Sequence, residues 1–180
     1  MPHLVTPQMR YRDSYIVAMD EFWAEGRGDE SDESALGRNI RTFGGQWDTL
    51  RGFAAYVTWL ISDGIEEMPR SDGYVPQTTF WWVEGDEYLG SIRVRHALTH
   101  YLATVGGHVG YDVRPTARGQ GHATAMLHAC LPFAASIGIS EVLVTCDADN
   151  IASRRVIEAN GGRPDGEIDG KLRYWVATVA

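Results

Sequence analysis

Arg118-Gly119-Gln120-Gly121-His122-Ala123 joins an alternating apolar segment, Val109-Gly110-Tyr111-Asp112-Val113, to a run of helical period that begins at Thr124. A strand that passes through glycine-flanked backbone into a helix leaves free N–H groups at the positive end of the helix dipole, where they cradle phosphate. A diphosphate-bearing ligand is therefore expected, and the rest of the chain tests which one.

Outward from this turn, the chain alternates between two periods. Residues His3 to Thr6 read as a short strand. Tyr11, Tyr15, Met19, Phe22 and Trp23 recur at helical spacing between Arg10 and Glu25. Gly26 to Ser34 is acidic and without period, which reads as a mobile loop. Asp48 or Thr49 can cap a helix with Leu50, Phe53, Ala54, Val57, Leu60 and Ile61 inward, ending at Gly64. Gln77–Glu84 and Tyr88–His96 flank Gly85-Asp86 as a hairpin. Gly106-Gly107 opens the strand that ends at Val113, and the helix after the turn runs to about Ile137, bent at Pro132. Glu141 to Cys146 reads as a central strand, Asp149 or Asn150 caps a helix that stops at Asn160-Gly161-Gly162, and Asp169-Gly170 turns a closing hairpin. The expected fold is α/β (α+β), a mixed sheet of about six to seven strands with helices on both faces, in a single domain over 1–180.

Composition narrows the function. The formal net charge is −8 over 180 residues, which disfavours a nucleic-acid partner, although Arg114, Arg118, Arg154 and Arg155 can form a local basic cluster. Two cysteines, Cys130 and Cys146, lack metal-ligand or disulfide spacing and read as buried, reduced thiols, so no metal site is expected. The first residues lack the apolar run of a signal peptide, and no stretch approaches about 18 apolar residues. A cytoplasmic protein without a membrane partner is expected.

Three phosphate motifs compete at the turn. The dinucleotide fingerprint needs a third glycine that is missing, with only Gly119 and Gly121 in register. The Walker loop's Gly-Lys-Ser/Thr ending is absent. The pattern present is Arg-x-x-Gly-x-Ala at Arg118, Gly121 and Ala123, followed downstream by Asn150-Ile151-Ala152-Ser153, Val156, Glu158 and Gly161-Gly162. Together these resemble the GNAT superfamily of acyl-CoA-dependent N-acyltransferases, over about residues 78–178. Gly110 to Pro115 and Asn150 to Gly162 look closest to the branch that includes ribosomal-protein N-terminal acetyltransferases.

The resemblance implies acetyl-CoA as co-substrate. It places the pyrophosphate on the backbone of Arg118, Gly119, Gln120, Gly121, His122, Ala123 and Thr124, with pantetheine between Val113 and Asn150. It also implies direct attack of an amine on the thioester, with a homodimer through the C-terminal strands as one arrangement. The family's usual general acid, a tyrosine seven residues after the helix-start Asn, is replaced by Ile157. Ser153 matches a serine that the branch places near the thiol.

For catalysis the middle strand offers His108, Tyr111 and Asp112. His108 titrates nearest neutrality and reads as the general base, with Tyr111 and Ser153 as partners. Strand alternation puts His108 and Asp112 on one face and Tyr111 on the other. Trp81, Trp82, Arg93, Arg95, His96 and Tyr101 lie where an acceptor would bind, and Arg93 and Arg95 share a face from which they read a carboxylate or phosphate. The acceptor is expected to be a small-molecule or peptide amine. Rival readings are an acyltransferase using another acyl-CoA, a non-catalytic acyl-CoA sensor and a nucleotide-binding module.

Overall fold

The computed structural model describes residues 1–179. Its elements are β1 (His3–Val5), α1 (Arg12–Ala24), α2 (Ala35–Phe43), α3 (Leu50–Ser62), β2 (Gln77–Glu84), β3 (Glu87–Arg95), β4 (Val109–Val113), α4 (His122–Ser136), β5 (Glu141–Asp147), α5 (Ile151–Ala159), β6 (Arg163–Ile168) and β7 (Lys171–Ala177). The strands form a seven-stranded sheet in the order β1-β2-β3-β4-β5-β7-β6. Only β4 and β5 among these neighbours run parallel, so the sheet is mixed, as expected.

Helices cover both faces because the strands alternate two apolar sets. On one face, α4 and α5 bury Met126, Leu127, Cys130, Ala134 and Ile157 against Ile92, Val94, Val109, Val142 and Val144. On the other, α1, α2 and α3 bury Tyr15, Phe22, Leu36, Phe53 and Tyr56 against Trp81, Val83 and Tyr88. Tyr15 is the hub of this second layer, stacking on Trp81 at 4.9 Å between ring centroids. Residues of β4 divide accordingly: Val109, Tyr111 and Val113 face α4, while Gly110 and Asp112 face the layer of α1 to α3.

Three local expectations change. The segment after Gly26 is organised rather than loose. Asp32 accepts from Arg27 Nε (2.9 Å), Gly28 N (3.0 Å) and Ser34 N (2.9 Å), and Ser34 caps α2 through Gly37 N (3.0 Å). Helix α4 starts at His122, two residues before its apolar period becomes visible, and continues through Pro132. The strand opened by Gly106-Gly107 starts later, at Val109, because Leu102–Gly106 forms a π-helical turn and Gly107 takes φ +64°. A Cβ at Gly107 would lie 2.6 Å from the Leu143 carbonyl oxygen, so this crossing of β5 requires glycine.

β4 pairs with β3 along its whole length, from Val109 opposite Val94 to Val113 opposite Gly90. With β5 it shares a single bridge, Val109 opposite Val144. The two strands part beyond that point. Arg95 N donates to His108 O (2.8 Å) and Arg114 N to Leu89 O (2.9 Å), so Gly110 and Asp112 bond to β3 by antiparallel alternation. The backbone groups of Tyr111 and Val113 therefore point into the gap.

Candidate active site

Two cavities flank the gap between β4 and β5, and both are lined by Tyr111, Asp112, Asn150 and Ser153. The smaller, about 680 Å3, lies at the N-terminus of α4. Its wall includes Val113, Arg118, Gly119, Gly121, His122, Ala123 and Thr124, whereas Gln120 is exposed and stands outside it. Gly121 precedes the helix at φ +83° and no side chain caps α4. Gly119 has φ +76°, and a Cβ at either glycine would meet nothing within 4 Å. Uncapped N–H groups, open space above them and a helix N-terminus fit a pyrophosphate.

The arginines around this cradle are mostly engaged elsewhere. Arg118 makes a bidentate pair with Glu25 (2.8 and 2.8 Å), donates to Val113 O (3.2 Å) and lies over the Phe22 ring. Its side chain ties the turn to α1, leaving phosphate to the backbone. Arg114 pairs with Glu21 (2.7 Å) and Arg154 with Glu158 (2.8 Å). Among the described residues, Arg155 is the member of that basic group that lines the cavity without an ion-pair partner. His122 accepts from Trp82 Nε1 at 3.2 Å, assigning the bare lone pair to its Nδ1.

Asn150 caps α5, its side-chain oxygen accepting from Ser153 N at 2.9 Å. This fixes Ser153 so that its Oγ lies 2.6 Å from the Tyr111 hydroxyl, which bridges β4 to α5 across the gap. Burial pushes the Tyr111 phenol up to about 12, although the hydrogen bond from Ser153 opposes the shift. Ile157, at the position where the family's tyrosine stands, is fully buried in the core. The phenol at the gap comes from β4 instead.

The larger cavity, about 780 Å3, lies on the face of α1 to α3. Its inner wall carries Asp112, which pairs with Arg93 (2.5 Å) and with Arg27 (3.1 Å). Arg95 lines the same wall and donates from Nη1 to the carbonyls of Gly106 and Gly107, both at 2.9 Å. Tyr101 and Arg38 complete the outer part, Arg38 being supplied by α2. Cys146 also lines this cavity. Its thiol is free and burial raises its pKa, which suppresses the thiolate a nucleophile needs.

Several sequence-predicted residues stand elsewhere. His108 lines neither cavity. It stands one residue before β4, where Arg95 N still donates to its carbonyl. Its Nδ1 accepts from Leu143 N at 2.9 Å and its ring lies edge-on to Trp175. Burial, with the charge of Arg95, depresses it to about 4, so it is a weak base. Trp81 is a core residue, 1% exposed, because β2 turns it into the aromatic layer. His96 bonds Thr78 Oγ1 (2.9 Å) at the sheet end, outside both cavity walls. Arg93 faces the acceptor cavity, but it is spoken for by Asp112. Sequence reasoning passed over Arg27 and Arg38 altogether. Arg27 lay in a segment read as loose, and α2 shows only Leu36, Ile40 and Phe43 as a faint stripe behind a Ser34 cap.

Among the described residues, no group of three or more His, Cys, Asp or Glu side chains is gathered as a metal would need, and no helix is long and apolar enough to cross a membrane.

A parted pair of parallel strands thus has an open helix N-terminus on one side and a polar cavity on the other. The family model for the acetyltransferase (GNAT) domain matches residues 38–163, and the chain belongs to that family. Similar solved structures include the ribosomal-protein-S5-alanine acetyltransferase of Vibrio fischeri, with 12% identity over 99% of this chain and 93% of that one, at a TM-score of 0.67. RimJ of Mycobacterium smegmatis in complex with CoA-disulfide shares 16% identity over 97% of this chain and 80% of that one, at 0.66. The microcin C7 self-immunity acetyltransferase MccE, in complex with acetyl-CoA and AMP, shares 13% identity over 98% and 92%, at 0.64. No match to this chain is found among curated proteins.

Proposed function

We propose that the protein is an acetyl-CoA-dependent N-acetyltransferase that acts on the primary amine of a small molecule or peptide by direct attack. The observation that carries this reading is the meeting of two cavities at Tyr111, Asp112, Asn150 and Ser153. Acetyl-CoA enters from the cradle of Gly119 to Thr124, with its pantetheine arm along the gap, and the acceptor enters from the face of α1 to α3. The coenzyme complexes of RimJ and MccE support the choice of carrier.

In this reading the neutral amine nitrogen attacks the thioester carbonyl, forming the C–N bond. The C–S bond then breaks and the thiolate leaves. Backbone N–H groups of Tyr111 and Val113, turned into the gap, meet the carbonyl oxygen as it gains charge. The Tyr111 phenol at about 12 holds its proton more tightly than a free thiol, at about 8.5, so it donates a hydrogen bond to the departing sulfur without giving the proton up. The proton that ends on sulfur comes from the amine. Asp112, paired with Arg93 and Arg27, takes the place proposed for His108 and orients that amine. Neither cysteine carries an acyl intermediate: Cys130 is buried in the core with its thiol pushed up to about 12, and Cys146 is suppressed by burial.

Thiol release from acetyl-CoA across a panel of amines, with the acetylated atom located by mass spectrometry, tests the reading. Amine-dependent release with acetyl on nitrogen is expected. Ile157 favours the second reading, a non-catalytic sensor. Tight coenzyme A binding with no amine-dependent release would establish that one instead, and faster release from a longer acyl-CoA would change the acyl group.

A further inference from the structure

The charges lining the acceptor cavity do not cancel at its inner end. Asp112 pairs with Arg93 and Arg27, Asp147 with Lys171 (2.5 Å) and Asp63 with Arg70 (3.6 Å). The remaining acids of the wall, Glu33 and Asp72, are exposed at the rim. Arg95 is different. Its guanidinium is partly buried, its Nη1 donates to two backbone carbonyls, and no carboxylate pairs with it among the described residues. Burial, together with the charges of Arg93 and Arg38, lowers its pKa to about 10, and of these three cations only Arg93 has a carboxylate beside it among the described residues. Arg38 likewise has no carboxylate partner among the described residues and donates to the Glu33 carbonyl. Arg93, 6% exposed, keeps its Nε without a hydrogen-bond partner. A planar guanidinium fixed by carbonyls on one edge presents its other donors as a fork that fits an oxyanion.

We propose that Arg95, assisted by Arg38, binds an oxyanion on the acceptor, so that the substrates are amines carrying a carboxylate or phosphoryl group. This rests on the N-acetyltransferase reading given above. The spacing refines it. Ser91, which pairs with Asp112, and Arg95 are four residues apart on β3, about 13 Å along the strand. The amine and the oxyanion therefore sit on separated parts of the acceptor and not on one carbon; a dipeptide or an aminoalkyl phosphate spans about 7 Å, and the side chains of Asp112 and Arg95 reach over the rest. Attack at the gap then proceeds with the far end of the acceptor anchored, which fixes the nitrogen against the thioester.

The test compares Ala-Ala with Ala-Ala amide, 3-aminopropyl phosphate with propylamine, and alanine alone, each with acetyl-CoA and the full-length protein. The anionic member of a pair is expected to have a kcat/KM about tenfold or more above its neutral partner, since charge-assisted hydrogen bonds are at stake. Preference within the dipeptide pair or within the phosphate pair tells carboxylate from phosphoryl. Arg95→Gln should erase the preference while the KM for acetyl-CoA stays unchanged, and Arg95→Lys should restore part of it. Arg38→Gln, on an exposed helix position, should reduce it about threefold without touching the core. Equal turnover of anionic and neutral members, or a preference that survives Arg95→Gln, overturns the inference while leaving N-acetyl transfer intact. If no amine is acetylated, calorimetric titration of the same compounds into the coenzyme A complex decides it: binding of the anionic members alone supports the oxyanion site, and absence of that preference overturns it.

Discussion

The Tyr111 hydroxyl lies 2.6 Å from Ser153 Oγ, tying β4 to the first turn of α5 where β4 and β5 part. In the proposed mechanism the pair acts as one unit, the serine orienting the phenol that donates to the departing sulfur. Tyr111→Phe should lower kcat by about tenfold to a hundredfold, the scale of a hydrogen bond to a charged atom. Ser153→Ala should cost less, and the double variant should be no slower than Tyr111→Phe alone, because residues in one network are not additive. Steady-state kinetics of the three variants check this. Fully additive losses would show two independent roles.

Asp112 and Arg93 face each other at 2.5 Å with both side chains largely buried. Removing one charge leaves the other uncompensated in the interior. Asp112→Asn should lose about 3–5 kcal/mol of stability. Arg27, at the edge of the pair, relieves little of this because its own charge also loses Asp112. Combining Asp112→Asn with Arg93→Met should recover part of the stability without restoring activity. Urea denaturation of the single and double variants, alongside the acetyl-transfer assay, checks both statements.

The cradle can be separated from backbone strain because two glycines share a conformation and only Gly121 lines the cavity proposed for the coenzyme. Gly121 and Gly138 have φ of +83° and +87°, and neither has an atom within 4 Å of an added Cβ. Gly121→Val and Gly138→Val should each lose about 1–2 kcal/mol through left-handed strain. Gly121→Val alone should weaken acetyl-CoA binding, by about tenfold or more, since the new side chain fills the space above the N–H groups. Calorimetric titration and thermal melts of both variants separate the two effects. Equal affinities in both variants would displace the cofactor site.

What could be read in the chain follows the range of the interactions involved. The turn at Gly119 and Gly121, the Asn150 cap and the Asp169-Gly170 hairpin are local, and each residue announces its backbone conformation. Alternation within β3 placed Arg93 and Arg95 on one face for the same reason, whereas the register that sets Asp112 of β4 beside them is not local. Partner choice was not readable. Arg93 finds an acid 19 residues away, Arg118 finds Glu25 93 residues away, and Arg95 finds none among the described residues. The sequence therefore offers Arg93 and Arg95 as equals, and packing makes them different. α2 escaped notice because Gly37, Asn39 and Thr42 weaken its local preference, and its hold on Leu36 and Ile40 is tertiary. Nor could the chain show that Leu143 N, 35 residues further on, holds the His108 ring outside both cavity walls.

His108 supplies the last prediction, and its sign follows from its pKa. The folded value is about 4 and the unfolded value about 6.5, so the unfolded chain takes up the proton first as pH falls. The folded state is then favoured above pH 6.5 and loses stability progressively down to about pH 4, by about 3 kcal/mol in all. Below that the group is protonated in both states and contributes no further slope. His108→Gln, which keeps an acceptor for Leu143 N but cannot titrate, should flatten this limb between pH 6.5 and 4 while the carboxylates set what remains. The same variant should keep kcat/KM for acetyl transfer within about threefold of wild type at neutral pH, because groups outside the reacting geometry contribute little to the barrier. Urea melts across pH and a single kinetic comparison suffice. A large kinetic loss with an unchanged acid limb would return the general base to His108 and remove Asp112 from that place.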